Sequence, residues 1–303
     1  MSRIPVVLNP TAGGGRLLRG RKGLEAAAAA AGAELEFQTT DGPGHATELA
    51  ARAVAEGRRL VFAYGGDGTY NEVARGLLGG ETALGVLPGG TTSVLAYELK
   101  IPRPAASALT ALLGGDDLAM RVARTDHGEI ALLMVSAGPD SQVLARLRPS
   151  LKRLGGRVGV ALQAVLEAAA GGDLPRLRVE TEAGRFDAGW TIVGNSRCYG
   201  SRYAATPGAN PFRGDLEVVA QTTRGRRAAV SFLLGIPSGR HVRRTDVVVT
   251  RSDRVRIEPV SPTAPVPYQI DGDVVGSLPV EVTIDPRSLR VRLPNPPKSA
   301  AEA

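Results

Sequence analysis

The chain has 303 residues, with 37 Lys+Arg against 30 Asp+Glu, a formal net charge of +7, 43% hydrophobic and 22% charged residues. That balance belongs to a folded globular protein and excludes a disordered or coiled-coil chain. A single cysteine, Cys198, excludes an internal disulfide framework and a cysteine-built zinc site. No apolar run reaches the ~20 residues of a bilayer-spanning helix, and the first residues pass into a strand pattern without a signal-peptide core. A soluble, cytoplasmic protein is expected.

Residues 4–9 form a predicted strand that ends in Asn9-Pro10-Thr11-Ala12-Gly13-Gly14-Gly15. A helix over 17–31 follows, favoured by the alanine run 26–31 and stopped at Gly32. The next predicted elements are a strand at 34–39 and a helix at 45–56. Residues 59–64 are apolar without alternation, the pattern of a strand covered on both faces. That run ends at Gly65-Gly66-Asp67-Gly68-Thr69, before a helix at 70–78. A strand at 83–87, the turn Pro88-Gly89-Gly90 and a helix at 92–99 complete the alternation. Strand–turn–helix repeated in this way predicts a layered, parallel α/β nucleotide domain.

Past residue 119 short β runs take over, at 120–124, 130–135, 177–181, 189–193, 216–220, 245–250, 255–259, 280–284 and 289–293. Turn residues separate them, which predicts an antiparallel sandwich or barrel-like domain. Helical inserts are expected at 151–170 and 228–234. The expected domains are 1–122 and 123–293, with the final strand free to return to the first, and a frayed tail at 294–303.

The charge is uneven, with 13 basic against 12 acidic residues in 1–125 and 24 against 18 in 126–303. Arginines cluster at Arg146/Arg148/Arg153/Arg157 beside Lys152, at Arg224/Arg226/Arg227 and at Arg240/Arg243/Arg244. Such faces suit water or anionic lipid; with 4% aromatics and no nucleic-acid motif, nucleic acid is not an expected partner. His127 and His241 lack metal-ligand companions at useful spacing and are expected at the surface, Trp190 and Cys198 in the core.

The chemistry concentrates in Gly65-Gly66-Asp67-Gly68-Thr69 with Asn71 and Glu72 close behind. A buried strand delivers this loop to the carboxyl edge of a parallel sheet, where open α/β folds bind ligands. Glycines let the backbone approach phosphate oxygens, and the following helix turns its positive end toward them. Asp67 is a negative side chain in a site built for anions, which calls for a cation such as Mg²⁺ between it and the phosphates. Asn9 through Gly15, with Arg16 behind, and Pro88-Gly89-Gly90-Thr91-Thr92 lie at strand ends of the same domain, as does Thr39-Thr40. Together these turns suit a nucleoside triphosphate, and no Walker-type Gly-x-x-x-x-Gly-Lys-Ser/Thr run is present.

With these motifs the chain resembles the diacylglycerol kinase catalytic-domain superfamily, in particular the bacterial soluble lipid kinases, which are similar to sphingosine and ceramide kinases. The resemblance extends to Gly44-His45-Ala46, to Asn195, Tyr199-Gly200, Pro207 and Ala209, and to Asp271-Gly272-Asp273, which looks like the family's Asp-Gly-Glu element. It implies an ATP site using Thr40, Gly66 through Glu72 and Thr91, and a base at Asp273 that takes the proton of a lipid hydroxyl, with Asp271 in reserve. Without the resemblance, Asp-Gly-Asp also reads as a hairpin turn between strands.

The chain departs from the family pattern at Ser93, where an asparagine is usual, at Tyr97, where an arginine is usual, and at Arg213-Gly214-Asp215-Leu216. In that last segment the family's aspartate helps hold a structural magnesium; Arg213 cannot ligate a cation, so either that metal is absent or Asp215 takes over from the neighbouring position. The reading is thus an ATP- and Mg²⁺-dependent kinase for a diacylglycerol-like or sphingoid lipid. The alternatives are an NAD kinase-like enzyme and a non-catalytic binding protein with a decayed site. The partners expected are the lipid substrate, an anionic membrane surface and, in a homodimer, a second copy of the chain.

Overall fold

The computed structural model describes residues 3–90, 92–146, 174–200, 202–223, 225–261 and 264–295. The chain divides into two compact units, residues 1–120 with 288–303, and residues 121–287. The helix expected at 151–170 lies outside the described residues.

In the first unit β1 (Ile4–Leu8), β2 (Leu35–Thr39), β3 (Leu60–Gly65) and β4 (Ala83–Pro88) form a parallel sheet in the order β2-β1-β3-β4. Near the end of the chain, Val291 pairs in parallel with Leu84 and so extends this sheet beyond β4. Every residue of β3 and β4 is buried, which is why both read as unbroken apolar runs. Helices α1 (Leu17–Ala30), α2 (His45–Ala55), α3 (Asp67–Leu77) and α4 (Val94–Glu98) follow β1, β2, β3 and β4 in turn. Helix α5 (Ala105–Leu113) was not legible in the sequence, because nearly all of its residues are alanine or leucine and no polar face marks the period. Since the strands are parallel, their carboxyl ends share one edge, and the glycine turns lie there.

The second unit is β-rich. It opens within β5 (Asp116–Thr125), continues through β6 (Ile130–Ala131) and β7 (Met134–Ala137), and then forms α6 (Pro139–Ala145). Strands β8 (Leu177–Thr181), β9 (Gly184–Ala188), β10 (Trp190–Gly194), β11 (Cys198–Tyr199), β12 (Tyr203–Ala204) and β13 (Leu216–Gln221) precede α7 (Arg226–Gly235). The last strands are β14 (Val247–Ser252), β15 (Arg254–Pro259), β16 (Pro267–Ile270), β17 (Asp273–Ser277) and β18 (Val280–Leu293). One antiparallel sheet runs β14-β13-β10-β7-β16-β17. A second is built from β9, β8, β15 and the first half of β18. Val135, Val193, Val218 and Tyr268 of the one pack with Leu177, Val179, Ile257 and Val282 of the other in a single buried cluster. This is a sandwich, as the alternating runs required.

Two local expectations need correction. The run 130–135 is broken into β6 and β7, because the amides of Leu132, Leu133 and Met134 turn to one carboxylate instead of a neighbouring strand. His241 is fully buried, packed edge-on against Phe232 with its Nε2 2.8 Å from the Ala205 carbonyl oxygen.

A buried ion cluster ties the start and end of the second unit together. The Asp285 carboxylate, with no exposed surface, accepts from Arg287 Nη2 at 2.8 Å and Arg124 Nη1 at 3.2 Å. Arg287 first, and Arg124 after it, hold this carboxyl down to about 2 from the ordinary 3.8. A folded-state value below the unfolded one means that the stabilisation is complete above about pH 4 and is lost as pH falls through 2. The expected contribution is about 2 kcal/mol. Melting temperatures measured from pH 5 to pH 2 should fall less steeply in Asp285→Asn than in the parent; parallel curves would refute the assignment.

Candidate active site

The glycine turns of the first unit are joined to one another. The Gly65 carbonyl accepts the amides of Gly89 at 2.9 Å and Gly90 at 2.7 Å, and the buried Tyr70 hydroxyl at 2.7 Å. A side chain on Gly90 would bring its Cβ to 2.7 Å from Gly66 Cα, and one on Gly13 would strike the Gly89 carbonyl oxygen. Gly13 also has φ +59°, where glycine is favoured. The amide of Gly90 is therefore spent on its neighbour, and what that glycine supplies is close approach of two turns.

Asp67, half-buried at the start of α3, bridges the same two turns. Its Oδ2 accepts the Val94 amide at 2.9 Å and its Oδ1 the Leu95 amide at 2.9 Å, with the Thr92 hydroxyl at 3.3 Å. Burial raises its pKa, and these hydrogen bonds oppose the rise. The carboxylate thus caps α4, satisfying amides that a helix start leaves open. Ser93, just before α4, is fully buried with φ +46°, a left-handed conformation that asparagine adopts more readily than serine. Its hydroxyl lies 3.2 Å from that of Tyr70.

Beside these turns a groove of about 270 Å³ is lined by Asn9, Thr11, Thr40, Asp41, Thr69 and Glu72, among others. Asn9 donates its amide to the Thr69 hydroxyl at 3.1 Å and accepts the Thr11 amide at 3.0 Å. Glu72 accepts the Gly44 amide at 3.0 Å and so holds the loop between β2 and α2. Of the residues singled out in the sequence, Asn9, Thr40, Thr69 and Glu72 share this groove, while Gly65, Gly66, Asp67 and Gly90 form the linked turns. Gly68 is exposed in the first turn of α3. Asn71 is buried and accepts from Arg75 Nε at 2.9 Å, along its own helix. Thr91 lies outside the described residues, and Arg16 folds back to donate to the Gly13 carbonyl at 3.1 Å. Sequence reading missed Arg103, whose guanidinium lies over the Tyr97 ring and donates to the Tyr97 hydroxyl at 3.0 Å and the Gly90 carbonyl at 3.4 Å.

In the second unit Asp271 and Gly272 are the two central residues of the β16–β17 turn, with φ +53° and +102°. Both values are positive, as a type I′ hairpin demands. The Asp271 carboxylate accepts three amides, from Leu132 at 2.9 Å, Leu133 at 2.9 Å and Met134 at 3.0 Å. Asp273, the first residue of β17, is exposed. Beneath the turn, Gln269 accepts the Gly272 amide at 2.7 Å and donates to buried Asp140 at 3.4 Å, which also accepts the Tyr199 hydroxyl at 3.1 Å. Burial raises the pKa of Asp140. Neither Asp140 nor Gln269 carried a sequence signal, since only pairing across strands brings them under the turn.

Of the two alternatives at this segment, no metal or a metal at Asp215, the donor set does not fit the second. Arg213 Nε donates to Asp215 Oδ1 at 3.0 Å and its Nη2 to the Gly208 carbonyl at 2.7 Å. Arg251 reaches the same carbonyl at 3.3 Å and lies 3.7 Å from Asp215 Oδ2. The oxygens that would ligate a cation are taken by two guanidinium groups, whose charge repels magnesium. Among the described residues no three His, Cys, Asp or Glu side chains gather as a metal site. Chelating divalent ions in nucleotide-free protein is expected to leave the melting temperature unchanged. A magnesium-dependent rise of ~5 °C or more, as a saturated site would produce, contradicts this.

Comparison with known proteins agrees with the geometry. Residues 3–125 match the model of the diacylglycerol kinase catalytic domain, and residues 133–293 that of the YegS C-terminal NAD kinase beta sandwich-like domain. The chain is 27% identical over 302 residues to a Mycobacterium tuberculosis protein named diacylglycerol kinase, covering 97% of this chain and 96% of that one. It is 29% identical over 291 residues to a Pseudomonas aeruginosa protein named "Probable lipid kinase YegS-like", covering 91% of each. A Bacillus anthracis crystal structure described as a diacylglycerol kinase shares the fold, with a TM-score of 0.71, 18% identity and 97% of each chain covered.

Proposed function

The chain belongs to the diacylglycerol kinase family of lipid kinases, and from this we propose that it transfers the γ-phosphoryl group of ATP to the hydroxyl of a diacylglycerol-like or sphingoid lipid. The observation that carries the reading is the joining of Gly65-Gly66 to Gly89-Gly90 through hydrogen bonds and glycine-only contact, with Asp67 bridging both turns. Such an edge admits phosphate close to backbone, at the positive end of α3. Asp41 and Glu72 repel phosphate but accept hydrogen bonds from hydroxyls, so the groove takes the ribose side of the nucleotide and the turns take its phosphates. Asp67 is the side chain that would hold a magnesium ion bound with the nucleotide, and the ion would supply neutralisation of the phosphate charge there. Arg103, stacked on Tyr97 where the family usually carries an arginine, places a guanidinium group beside Gly90.

Asp273 takes the proton of the lipid hydroxyl. The freed oxygen bonds to the γ-phosphorus, the bond to the β-phosphate oxygen breaks, and ADP leaves. Asp271 is the anchor of the turn rather than the base, because its carboxylate is engaged by three amides. An ATP donor assigns the reaction to the cytoplasm.

A total lipid extract and NAD, each offered with labelled ATP, test the reading. Label is expected in lipid with the parent protein and not with Asp67→Ala or Asp273→Asn. Label in NAD alone would move the assignment to a dinucleotide kinase, and nucleotide binding without any transfer would favour a binding protein.

A further inference from the structure

We propose that α7 and the turns that follow it form a docking surface for the anionic face of a lipid bilayer. Residues 222–245 hold six arginines and no aspartate or glutamate. The inner side of this segment is anchored: Ala229, Phe232, Ile236 and His241 are buried, and the Phe232 ring meets Trp190 at 5.1 Å and His241 at 5.4 Å. The outer side is apolar where a water-facing helix should be polar. Val230, Leu233 and Leu234 are 44%, 41% and 73% exposed, at the spacing that shares one helix face. Arg227 on the helix, and Arg240 and Arg243 in the turns whose backbone bonds back to Gly235, are exposed, and among the described residues none of the three forms an ion pair. Arg244, in contrast, is neutralised by two contacts of 2.8 Å to Asp246.

Leucines flanked by unneutralised arginines match a bilayer surface in both respects. The leucines reach the acyl boundary and the guanidinium groups meet anionic headgroups. A second copy of the chain presenting the same patch would set arginine against arginine. Nucleic acid has no use for the exposed leucines, and the only aromatic ring of the helix is buried. The inference adds to the lipid-kinase reading a surface outside the residues assigned to the reaction.

Co-sedimentation of the full chain with phosphatidylcholine vesicles, with and without an equimolar share of phosphatidylglycerol, tests it. Binding is expected to the anionic vesicles, to weaken with added salt, and to be slight on neutral ones. Each arginine is worth about fivefold in partition, so Arg227→Glu with Arg240→Glu should weaken binding by at least about 25-fold. Leu233→Ser with Leu234→Ser should weaken it by about tenfold or more. Both pairs are expected to keep the parent melting temperature and the parent rate on lipid dispersed in detergent micelles, while losing rate on anionic vesicles. Equal binding to neutral vesicles, unaltered binding by either pair, or a self-association broken by the leucine pair without vesicle binding would each overturn the proposal. Vesicle binding without phosphoryl transfer in micelles would support the surface while counting against the kinase reading.

Discussion

Asp273→Asn is expected to lower kcat by ~10²–10⁴-fold, the usual worth of a general base, while leaving the melting temperature close to that of the parent. The side chain is exposed at the first position of β17, and exposed substitutions of this kind typically change stability by less than about 0.5 kcal/mol. Asparagine keeps the size and polarity of the group and removes only its capacity to take a proton. Labelled-phosphate turnover at saturating ATP and lipid, paired with calorimetry, separates loss of chemistry from loss of fold. A variant that turns over at the parent rate would remove Asp273 from the reaction. If the short aspartate reaches its substrate less well than a glutamate would, Asp273→Glu keeps activity, and its ratio to the parent measures how strongly the transfer depends on distance.

Asp271→Ala should behave in the opposite way, two residues earlier. Three backbone amides, of Leu132, Leu133 and Met134, converge on that carboxylate. Removing it leaves polar groups between β6 and β7 without their acceptor, and costs about 3 kcal/mol, allowing for partial rescue by water. The corresponding fall in melting temperature is roughly 6–12 °C. Asp271→Asn helps little, because the carboxylate accepts on both oxygens and an amide offers only one acceptor. Below its lowered melting transition the alanine variant is expected to retain phosphoryl transfer. Parent-like stability combined with abolished turnover would show instead that Asp271 acts on the proton.

These two aspartates show where sequence reading stops. Asp-Gly-Asp was visible both as a family element and as a hairpin turn, and it is a hairpin, since positive φ at two successive residues suits Asp-Gly. Which aspartate is engaged depends on amides about 137 residues earlier in the chain, a distance at which no local pattern operates. Asp67 repeats the lesson at shorter range. Its place after a buried strand was legible, but its hydrogen bonds to Val94 and Leu95 were not, and they make it a brace between the two glycine turns. At Arg213 the sequence showed that a metal ligand was missing. The contacts with Asp215 and Gly208 show that a guanidinium group does the bridging there.

The sequence by itself determined the two kinds of architecture, the alternation of β1 to β4 with α1 to α4 in the first unit, and the glycine turns at the ends of those strands. Those features follow from short-range physics: side-chain periodicity, glycine's access to positive φ, and the need to cover apolar strands on both faces. Only the tertiary structure decided which polar groups are occupied by other parts of the chain, that Arg103 lies at the Gly90 turn, and that α7 turns its leucines outward. Buried donors and acceptors must find partners wherever folding brings them, so those pairings belong to the assembled chain and not to any stretch of it.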